Sequence, residues 1–308
     1  MAISKSRTAL KAGLLGVAGL CLILSVLACT ATGRKQNIWE DMCRRGAASQ
    51  FQPILFHTGM FDLSGLLRLH PDVSDQLIVY IEGDGRIFNR RGQVRDNSTP
   101  TFAQAYELAL LDPAPQVLYL ARIGQFNSNN TGSEFKKYWT TARMAPEAVQ
   151  AANLAIDQAK KLAGASKIQL IGYSGGGGLA GLIAAGRNDV LSLATVAAVL
   201  DTVWWTDSYL SETKKGALRL SLNPSDRAED ISTLPQIHFS GRNDELVPPE
   251  MVERLQMAVH FQNLQQVILN NTHTQGWTED WPLLLTRYVI PLRLPAQQRT
   301  PLQANGSD

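Results

Sequence analysis

The feature that most constrains this chain is a glycine-rich turn around one serine. Residues 167–178 read KIQLIGYSGGGG, so a short apolar strand (168–171) runs into the turn and a small-residue helix pattern follows to Gly186. Glycines two before and two after Ser174 complete the pattern G-x-S-x-G. In this pattern strand and helix cross closely, and the serine hydroxyl is exposed at the carboxyl end of the strand. The context predicts that Ser174 is a nucleophile.

Two other interpretations of such a loop are a plain turn and a phosphate cradle. A phosphate-binding loop needs a lysine after its glycines and a matching acid downstream, and the sequence provides neither. The plain turn stays open as an alternative, but the flanking strand and helix favour the nucleophile.

Composition and charge are those of an ordinary globular protein. The 308 residues are 44% hydrophobic and 18% charged with a net charge of +2, which suits one α/β domain. The basic residues are scattered apart from Arg86, Arg90, Arg91 and Arg95, so nothing points to nucleic acid. That cluster could favour an anionic substrate, although a solvated loop is the more common reason for one. No metal-ligand grouping, dinucleotide fingerprint or cofactor motif is present, so we expect no metal and no cofactor.

The amino terminus is typical of an exported protein. Lys5, Arg7 and Lys11 precede an apolar run over residues 12–28, as in a secretory signal peptide. The run closes as VLAC and resembles the bacterial lipobox, which implies cleavage before Cys29 and acylation of that cysteine. Thr30 is not an aspartate, which by the same resemblance implies the outer membrane, facing the periplasm. An uncleaved membrane helix is the alternative, because the apolar run is just long enough to span.

These patterns divide the chain into four parts. We expect a signal peptide over residues 1–28, a lipidated tether over 29–50, a globular domain over 51–292 and a disordered tail over 293–308. Cys43 would be the one cysteine left besides the acylated one, so no disulfide is expected in the mature chain.

Strand and helix patterns alternate through the domain. Strands are predicted at 51–57, 63–69, 76–82, 116–121, 168–171, 192–200, 235–240 and 266–269. Helices are predicted at 101–111, 146–163, 175–186, 248–260 and 279–290. The alternation predicts an α/β fold, with a doubly wound, mostly parallel sheet and helices on both faces.

A serine hydroxyl is a poor nucleophile at neutral pH, so Ser174 needs a base and an acid that orients it. Of the five histidines, His273 lies in the loop after the last strand, at the sheet edge where Ser174 is expected. For the acid, Asp244 follows the preceding strand, with Glu245 and Asp201 as rivals. The order Ser…Asp…His favours Asp244.

With these residues the chain resembles the α/β-hydrolase superfamily over about 51–292. The resemblance rests on G-Y-S-G-G, G-R-N-D-E-L-V-P-P and N-T-H-T, which match the family's nucleophile, acid and base in order. It implies that Ser174 attacks an acyl carbon, that His273 carries the proton and that Asp244 orients the imidazole. It also implies an oxyanion hole formed by the amide of Gly175 and an amide after the third strand. A His-Gly pair is usual there; residues 82–85 read EGDG, and we assign the second amide to Asp84.

The stretch 201–234 occupies the position of a substrate lid. It is short and carries Trp204 and Trp205, which predicts a small or medium acyl group. The expected function is therefore a serine hydrolase at the bacterial envelope. Its small-molecule substrate would be a carboxylic ester, or less readily a thioester or amide. The alternative is a lipid-anchored binding or scaffold protein that keeps the fold without activity. The sequence does not set the oligomeric state.

Overall fold

An eight-stranded sheet organises the part of the chain that the structure describes. The structure is a computed structural model, and it describes residues 37–70, 74–126, 129–130, 132–209, 217–294 and 298. The strands are β1 (Gln52–His57), β2 (Asp62–Arg68), β3 (Gln76–Ile81), β4 (Val117–Leu120), β5 (Lys167–Tyr173), β6 (Val190–Val196), β7 (Gln236–Gly241) and β8 (Leu264–Leu269). Their spatial order is β1-β2-β4-β3-β5-β6-β7-β8. β2 runs antiparallel to both its neighbours, and all other pairs are parallel.

Helices cover both faces of the sheet. They are α1 (Ile38–Ala48), α2 (Gln104–Leu110), α3 (Pro146–Ala163), α4 (Gly175–Ala185), α5 (Thr202–Trp204), α6 (Glu250–Ala258) and α7 (Trp277–Leu284). Buried residues of α3 and α4 share one hydrophobic cluster with the sheet, and those of α1, α2 and α7 share a second cluster. This arrangement confirms the predicted doubly wound α/β class.

Strand β3 shows why the sequence pattern predicts a central strand. It reads QLIVYI, and all its residues after Gln76 are buried. Leu77, Val79 and Ile81 belong to the cluster under α3 and α4, whereas Ile78 and Tyr80 belong to the cluster under α2 and α7. Successive side chains of a strand point to opposite faces, so a strand covered on both faces must be apolar at nearly every position.

Helix α1 lies where the sequence suggested part of a tether, and this corrects the interpretation of residues 38–48. Met42 is buried in the cluster under α2, and its carbonyl accepts a hydrogen bond from the hydroxyl of Tyr106 at 2.6 Å. Arg45 forms an ion pair with Glu107 of α2, with 2.6 Å between nitrogen and oxygen. Ile38, Trp39, Met42 and Cys43 contact this cluster, a helical spacing within an otherwise charged sequence.

The terminal predictions fall largely outside the described residues. The signal peptide (1–28), Cys29 and most of the tail (293–308) are among the residues that the structure does not describe. The described residues from Ile38 onward belong to one structural unit. Of the helices described here, none combines the length and the apolar character needed to cross a membrane.

Candidate active site

Ser174 lies at the turn between β5 and α4. Its φ angle is +53°, which is unusual for a residue other than glycine. The neighbouring glycines allow the turn: a Cβ at Gly172 would lie 2.4 Å from the carbonyl oxygen of Gly176. A Cβ at Gly176 would lie 2.4 Å from the carbonyl oxygens of Ile81 and Glu82, in and after β3. Helix α4 can therefore approach β3 closely only with glycine at this position.

His273 lies in the loop between β8 and α7, and its ring bridges two side chains. The distance from Nε2 to Ser174 Oγ is 3.0 Å, and the distance from Nδ1 to Asp244 Oδ2 is 2.8 Å. The His273 carbonyl accepts hydrogen bonds from the Tyr173 hydroxyl at 2.9 Å and from Trp277 Nε1 at 3.1 Å. The backbone of the loop is thus held in place independently of the imidazole.

Asp244 lies in the turn after β7, and its side chain is fully buried. Its Oδ1 accepts the amide hydrogens of Leu246 at 2.9 Å and Val247 at 2.8 Å, which leaves Oδ2 to face His273. The rival Asp201 has a different role. Its Oδ1 accepts the amide hydrogen of Trp204 at 3.0 Å, so it caps the amino end of α5.

The arrangement fixes the hydrogen-bond roles of the imidazole. A carboxylate only accepts, so Nδ1 carries the hydrogen that is shared with Asp244. Nε2 is then the nitrogen with a free lone pair, and it faces the hydroxyl of Ser174. A base oriented in this way can remove the hydroxyl proton as the oxygen attacks an electrophile.

The side chain of Asp84 lies beside the turn at Ser174, and its charge is neutralised there. Its carboxylate accepts from Arg122 Nη1 at 2.8 Å and from Arg143 Nη1 at 2.6 Å. A Cβ at Gly175 would lie 2.2 Å from Asp84 Oδ1, so the carboxylate packs directly against this glycine. Burial by itself raises the pKa of Asp84, but the charges of Arg143 and Arg122 outweigh it and hold the pKa below its usual value. One carboxylate and two guanidinium groups leave one positive charge in excess.

The amides predicted as oxyanion donors differ from their neighbours in the same loops. The Gly83 amide donates to Glu82 Oε1 at 2.9 Å, and the Arg86 amide donates to the Ser98 carbonyl at 2.9 Å. The amides of Asp84 and Gly175 find no acceptor among the described residues. Gly175 is the first residue of α4, where a helix leaves its amide hydrogens unpaired.

Glu82 is a buried carboxyl group at the end of β3 that the sequence analysis did not single out. Burial raises its pKa to about 7, although hydrogen bonds from the Gly83 and Ala105 amides oppose the shift. The hydroxyl of Tyr119 donates to Glu82 Oε2 at 3.2 Å. An acid that directly follows an apolar strand run is the signal that could have identified it.

A cavity of about 750 Å³ opens over Ser174 and His273. Its apolar wall comes from Ile87, Phe88, Val94, Phe102, Trp205 and Leu246. Of the two predicted lid tryptophans, Trp205 lines this cavity, and its Nε1 donates to the Leu246 carbonyl at 2.8 Å. Trp204 is not part of the wall and packs against the guanidinium of Arg254, 5.2 Å from the ring centroid. The described residues contain no group of side chains arranged to hold a metal ion.

Several solved structures share this architecture at low sequence identity. Est1E from Butyrivibrio proteoclasticus matches with a TM-score of 0.55 at 15% identity, over 78% of this chain and 98% of that chain. An alpha-beta serine hydrolase homologue from Coxiella burnetii matches with a TM-score of 0.51 at 14% identity, over 77% of this chain and 96% of that one. The acylaminoacyl peptidase from Pyrococcus horikoshii gives 0.58 at 15% identity over 91% of this chain, which spans 46% of that protein. No protein-family model and no curated protein sequence matches the chain.

At 14–15% identity these matches establish the fold alone. Together with the mostly parallel eight-stranded sheet and its helices, they show that the described part of the chain has the α/β-hydrolase fold. The predicted fold class is confirmed.

Proposed function

We propose that this protein is a serine hydrolase that cleaves a carboxylic ester of small or medium acyl size. The observation that carries the proposal is the continuous hydrogen-bonded chain from Ser174 through His273 to the buried Asp244. It opens on a cavity with room for a small molecule. A nucleophile, a base in contact with it and a third group that orients the base are the three parts that acyl transfer requires.

In the first half of the reaction Ser174 Oγ attacks the ester carbonyl carbon while His273 Nε2 takes the hydroxyl proton. The carbonyl oxygen becomes an oxyanion, which accepts hydrogen bonds from the amides of Gly175 and Asp84. Asp244 stabilises the imidazolium that has formed. When the tetrahedral intermediate collapses, the imidazolium gives its proton to the departing alcohol, and the acyl group stays on Ser174.

In the second half a water molecule takes the place of the alcohol. His273 Nε2 removes a proton from this water as its oxygen attacks the acyl carbon. When the second tetrahedral intermediate collapses, the bond between the acyl carbon and Ser174 Oγ breaks, and His273 Nε2 returns the proton to Oγ. The carboxylic acid leaves, and the enzyme is restored.

The cavity supports the expected acyl size. Pockets of 300–1,000 Å³ are typical of small-molecule sites, and a volume of about 750 Å³ falls within this range. The apolar wall suits a hydrocarbon acyl chain, and thioesters or amides of the same size would fit the same mechanism. The excess positive charge around Asp84 also supports activity, because an unpaired carboxylate beside an oxyanion would oppose it.

Covalent labelling of the full chain tests the proposal. A fluorophosphonate probe should label the detergent-solubilised protein within minutes, and mass spectrometry should find the adduct on Ser174. Ser174→Ala should abolish the label, and Asp201→Asn, which changes the cap of α5 and the ion pair with Arg254, should keep it. A folded protein that stays unlabelled would instead favour a binding or scaffold role for this fold.

We also propose that the enzyme acts at the bacterial envelope, anchored through acylated Cys29. This part of the proposal rests on the sequence of the first thirty residues, which lie outside the described part of the chain. The charged residues, the apolar run and the cysteine follow the order of an exported lipoprotein.

A further inference from the structure

The wall of the cavity over Ser174 carries more positive than negative charge. Arg86, Arg143 and Arg219 line it, against the two carboxyl groups of Glu82 and Asp84. Asp84 is already shared between two guanidinium groups, so it cannot neutralise a further arginine. Arg86 and Arg219 therefore add to the positive charge that an entering ligand meets.

Arg86 reaches the cavity from the loop after β3. Its amide donates to the Ser98 carbonyl at 2.9 Å. The preceding Gly85 has a φ of +70°, and a Cβ there would lie 1.9 Å from the same carbonyl oxygen, so the turn is tightly held. Arg86 follows Asp84 by two residues, and the carboxylate of Asp84 packs against Gly175. The Arg86 side chain is exposed in the cavity wall and pairs with no described carboxylate.

Arg219 reaches the same cavity from the segment between β6 and β7. The Leu220 amide donates to the Thr141 carbonyl at 3.0 Å, and the Leu222 amide donates to the Met144 carbonyl at 2.9 Å. These bonds fix Arg219 beside the segment that carries Arg143. Its side chain is also exposed, and no described carboxylate pairs with it.

Two other arginines among the described residues show the contrast. Arg293 pairs with Asp112, and Arg187 pairs with both Asp157 and Asp189. Two arginines that face a substrate-sized cavity without such partners are available to a ligand. A guanidinium group presents several donors in one plane, which matches the oxygens of a carboxylate or a phosphate.

Glu82 does not cancel these charges. It is buried at the end of β3, where the Gly83 amide and the Tyr119 hydroxyl bind its two oxygens. Glu82 is therefore buried and already hydrogen-bonded, whereas Arg86 and Arg219 are exposed at the cavity wall.

From this placement we infer that the substrate carries an anionic group, a carboxylate or a phosphate, which Arg86 and Arg219 bind while the ester lies at Ser174. The inference rests on the proposed ester hydrolysis and narrows its substrate class. It predicts that charge, in addition to acyl length, decides which esters are accepted.

Binding of matched ester pairs to the full-length Ser174→Ala protein tests the inference, because the esters then stay intact. One pair is ethyl hydrogen adipate and diethyl adipate, with the charge on the acyl side. The other is 4-acetoxybenzoate and its methyl ester, with the charge on the alcohol side, and 4-acetoxyphenyl phosphate extends it to a phosphate. Affinities come from calorimetry at low salt, and kcat/KM of the protein with its serine gives a second measure.

We expect the anionic member of at least one pair to bind more tightly, by about fivefold for each arginine, since exposed ion pairs contribute up to about 1 kcal/mol. Arg86→Gln with Arg219→Gln should remove the preference and leave the neutral member unchanged, whereas Arg219→Lys should keep part of it. Arg90→Gln is the matched control, because it removes the same charge from the same loop outside the cavity wall.

Three results would overturn the inference: equal affinity for both members of every pair, a preference that survives the double variant, or no measurable binding of any anionic ester. Thermal melting of each variant verifies that it is folded. The affinities and melting temperatures do not depend on turnover, whereas the kcat/KM comparison does. If the fluorophosphonate probe does not label the protein, the proposed hydrolysis is contradicted. The affinities for the anionic and neutral esters would still test the inferred anion binding by Arg86 and Arg219.

Discussion

At the scale of single residues, the orientation of each side chain at this site is set by hydrogen bonds from its neighbours. The backbone amides at 246 and 247 bind one carboxylate oxygen of Asp244, so the other oxygen faces the imidazole of His273. Because Asp244 contacts His273 and His273 contacts Ser174, the role proposed for Asp244 can be tested apart from that of Ser174.

The first prediction concerns this orienting carboxylate. In Asp244→Asn the amide group no longer requires hydrogen on Nδ1 of His273, so the imidazole can adopt the tautomer that cannot accept the serine proton. Turnover of an aryl ester should fall about 10⁴-fold at neutral pH. Asp201→Asn should leave turnover within about twofold. If Asp201→Asn caused the large loss and Asp244→Asn did not, Asp244 would not be the orienting acid.

The second prediction concerns Glu82, whose folded-state pKa of about 7 lies above its usual value of 4.5. The folded state holds this proton more tightly than the unfolded state, so the contribution of Glu82 to stability is complete below about pH 4.5. It is lost as the pH rises towards 7, by up to about 3 kcal/mol. Glu82→Gln resembles the protonated form and should remove this part of the pH dependence.

The measurement is the free energy of unfolding by urea between pH 4.5 and 8, for the protein and for Glu82→Gln. The difference between the two curves isolates Glu82 from the other carboxyl groups, which titrate in both. A constant difference over this range would mean that Glu82 does not titrate there.

Among the elements, the packing of α4 against β3 determines the position of Ser174. The glycines that begin α4 are in contact with β3, with the segment 197–200 and with Asp84, so each can be assigned a separate packing role. Gly181, five residues after Gly176, has no heavy atom within 4 Å of its potential Cβ. The helix therefore contains both a constrained glycine and an unconstrained one.

The third prediction uses this pair. Gly176→Ala places a methyl group 2.4 Å from two carbonyl oxygens of the β3 end, so it should displace the turn and lower both ester turnover and melting temperature. Gly181→Ala should keep turnover and raise stability by about 0.5–1 kcal/mol, the usual gain of alanine over glycine in a helix. Equal behaviour of the two variants would argue against the close approach at Gly176.

At the scale of the whole molecule, the folded domain begins earlier than the sequence patterns indicated. Helix α1 joins the core through Met42 and the Arg45–Glu107 pair, so a tether to a membrane can comprise only residues before α1.

The fourth prediction concerns the anchor. If Cys29 is acylated, Cys29→Ala should release the protein from membranes or leave it as an unprocessed precursor of higher mass. Membrane fractionation and mass spectrometry of the amino terminus measure both outcomes. An uncleaved helix would instead keep the variant in the membrane with unchanged mass.

The positions of the strands along the chain, the sharp turn at Ser174 and the positions of His273 and Asp244 after their strands could all be predicted from the sequence. These features depend on local rules. An apolar run marks a buried strand, glycines permit a sharp turn, and loops after parallel strands emerge at one edge of the sheet. Helix α1 was missed because four apolar residues among charged neighbours give a weak pattern, and tertiary contacts stabilise it, among them those with α2, β1 and Phe126.

The sequence alone therefore determined the α/β architecture and identified which three side chains would face each other. Tertiary structure alone decided the charge of the site. Residues 84, 122 and 143 are far apart in the chain, and nothing local predicts that two arginines converge on one carboxylate beside Gly175. It likewise decided that Trp205 lines the cavity while Trp204 packs outside it, and that Glu82 is buried. Electrostatics and enclosure depend on distances across the fold, which local sequence patterns do not encode.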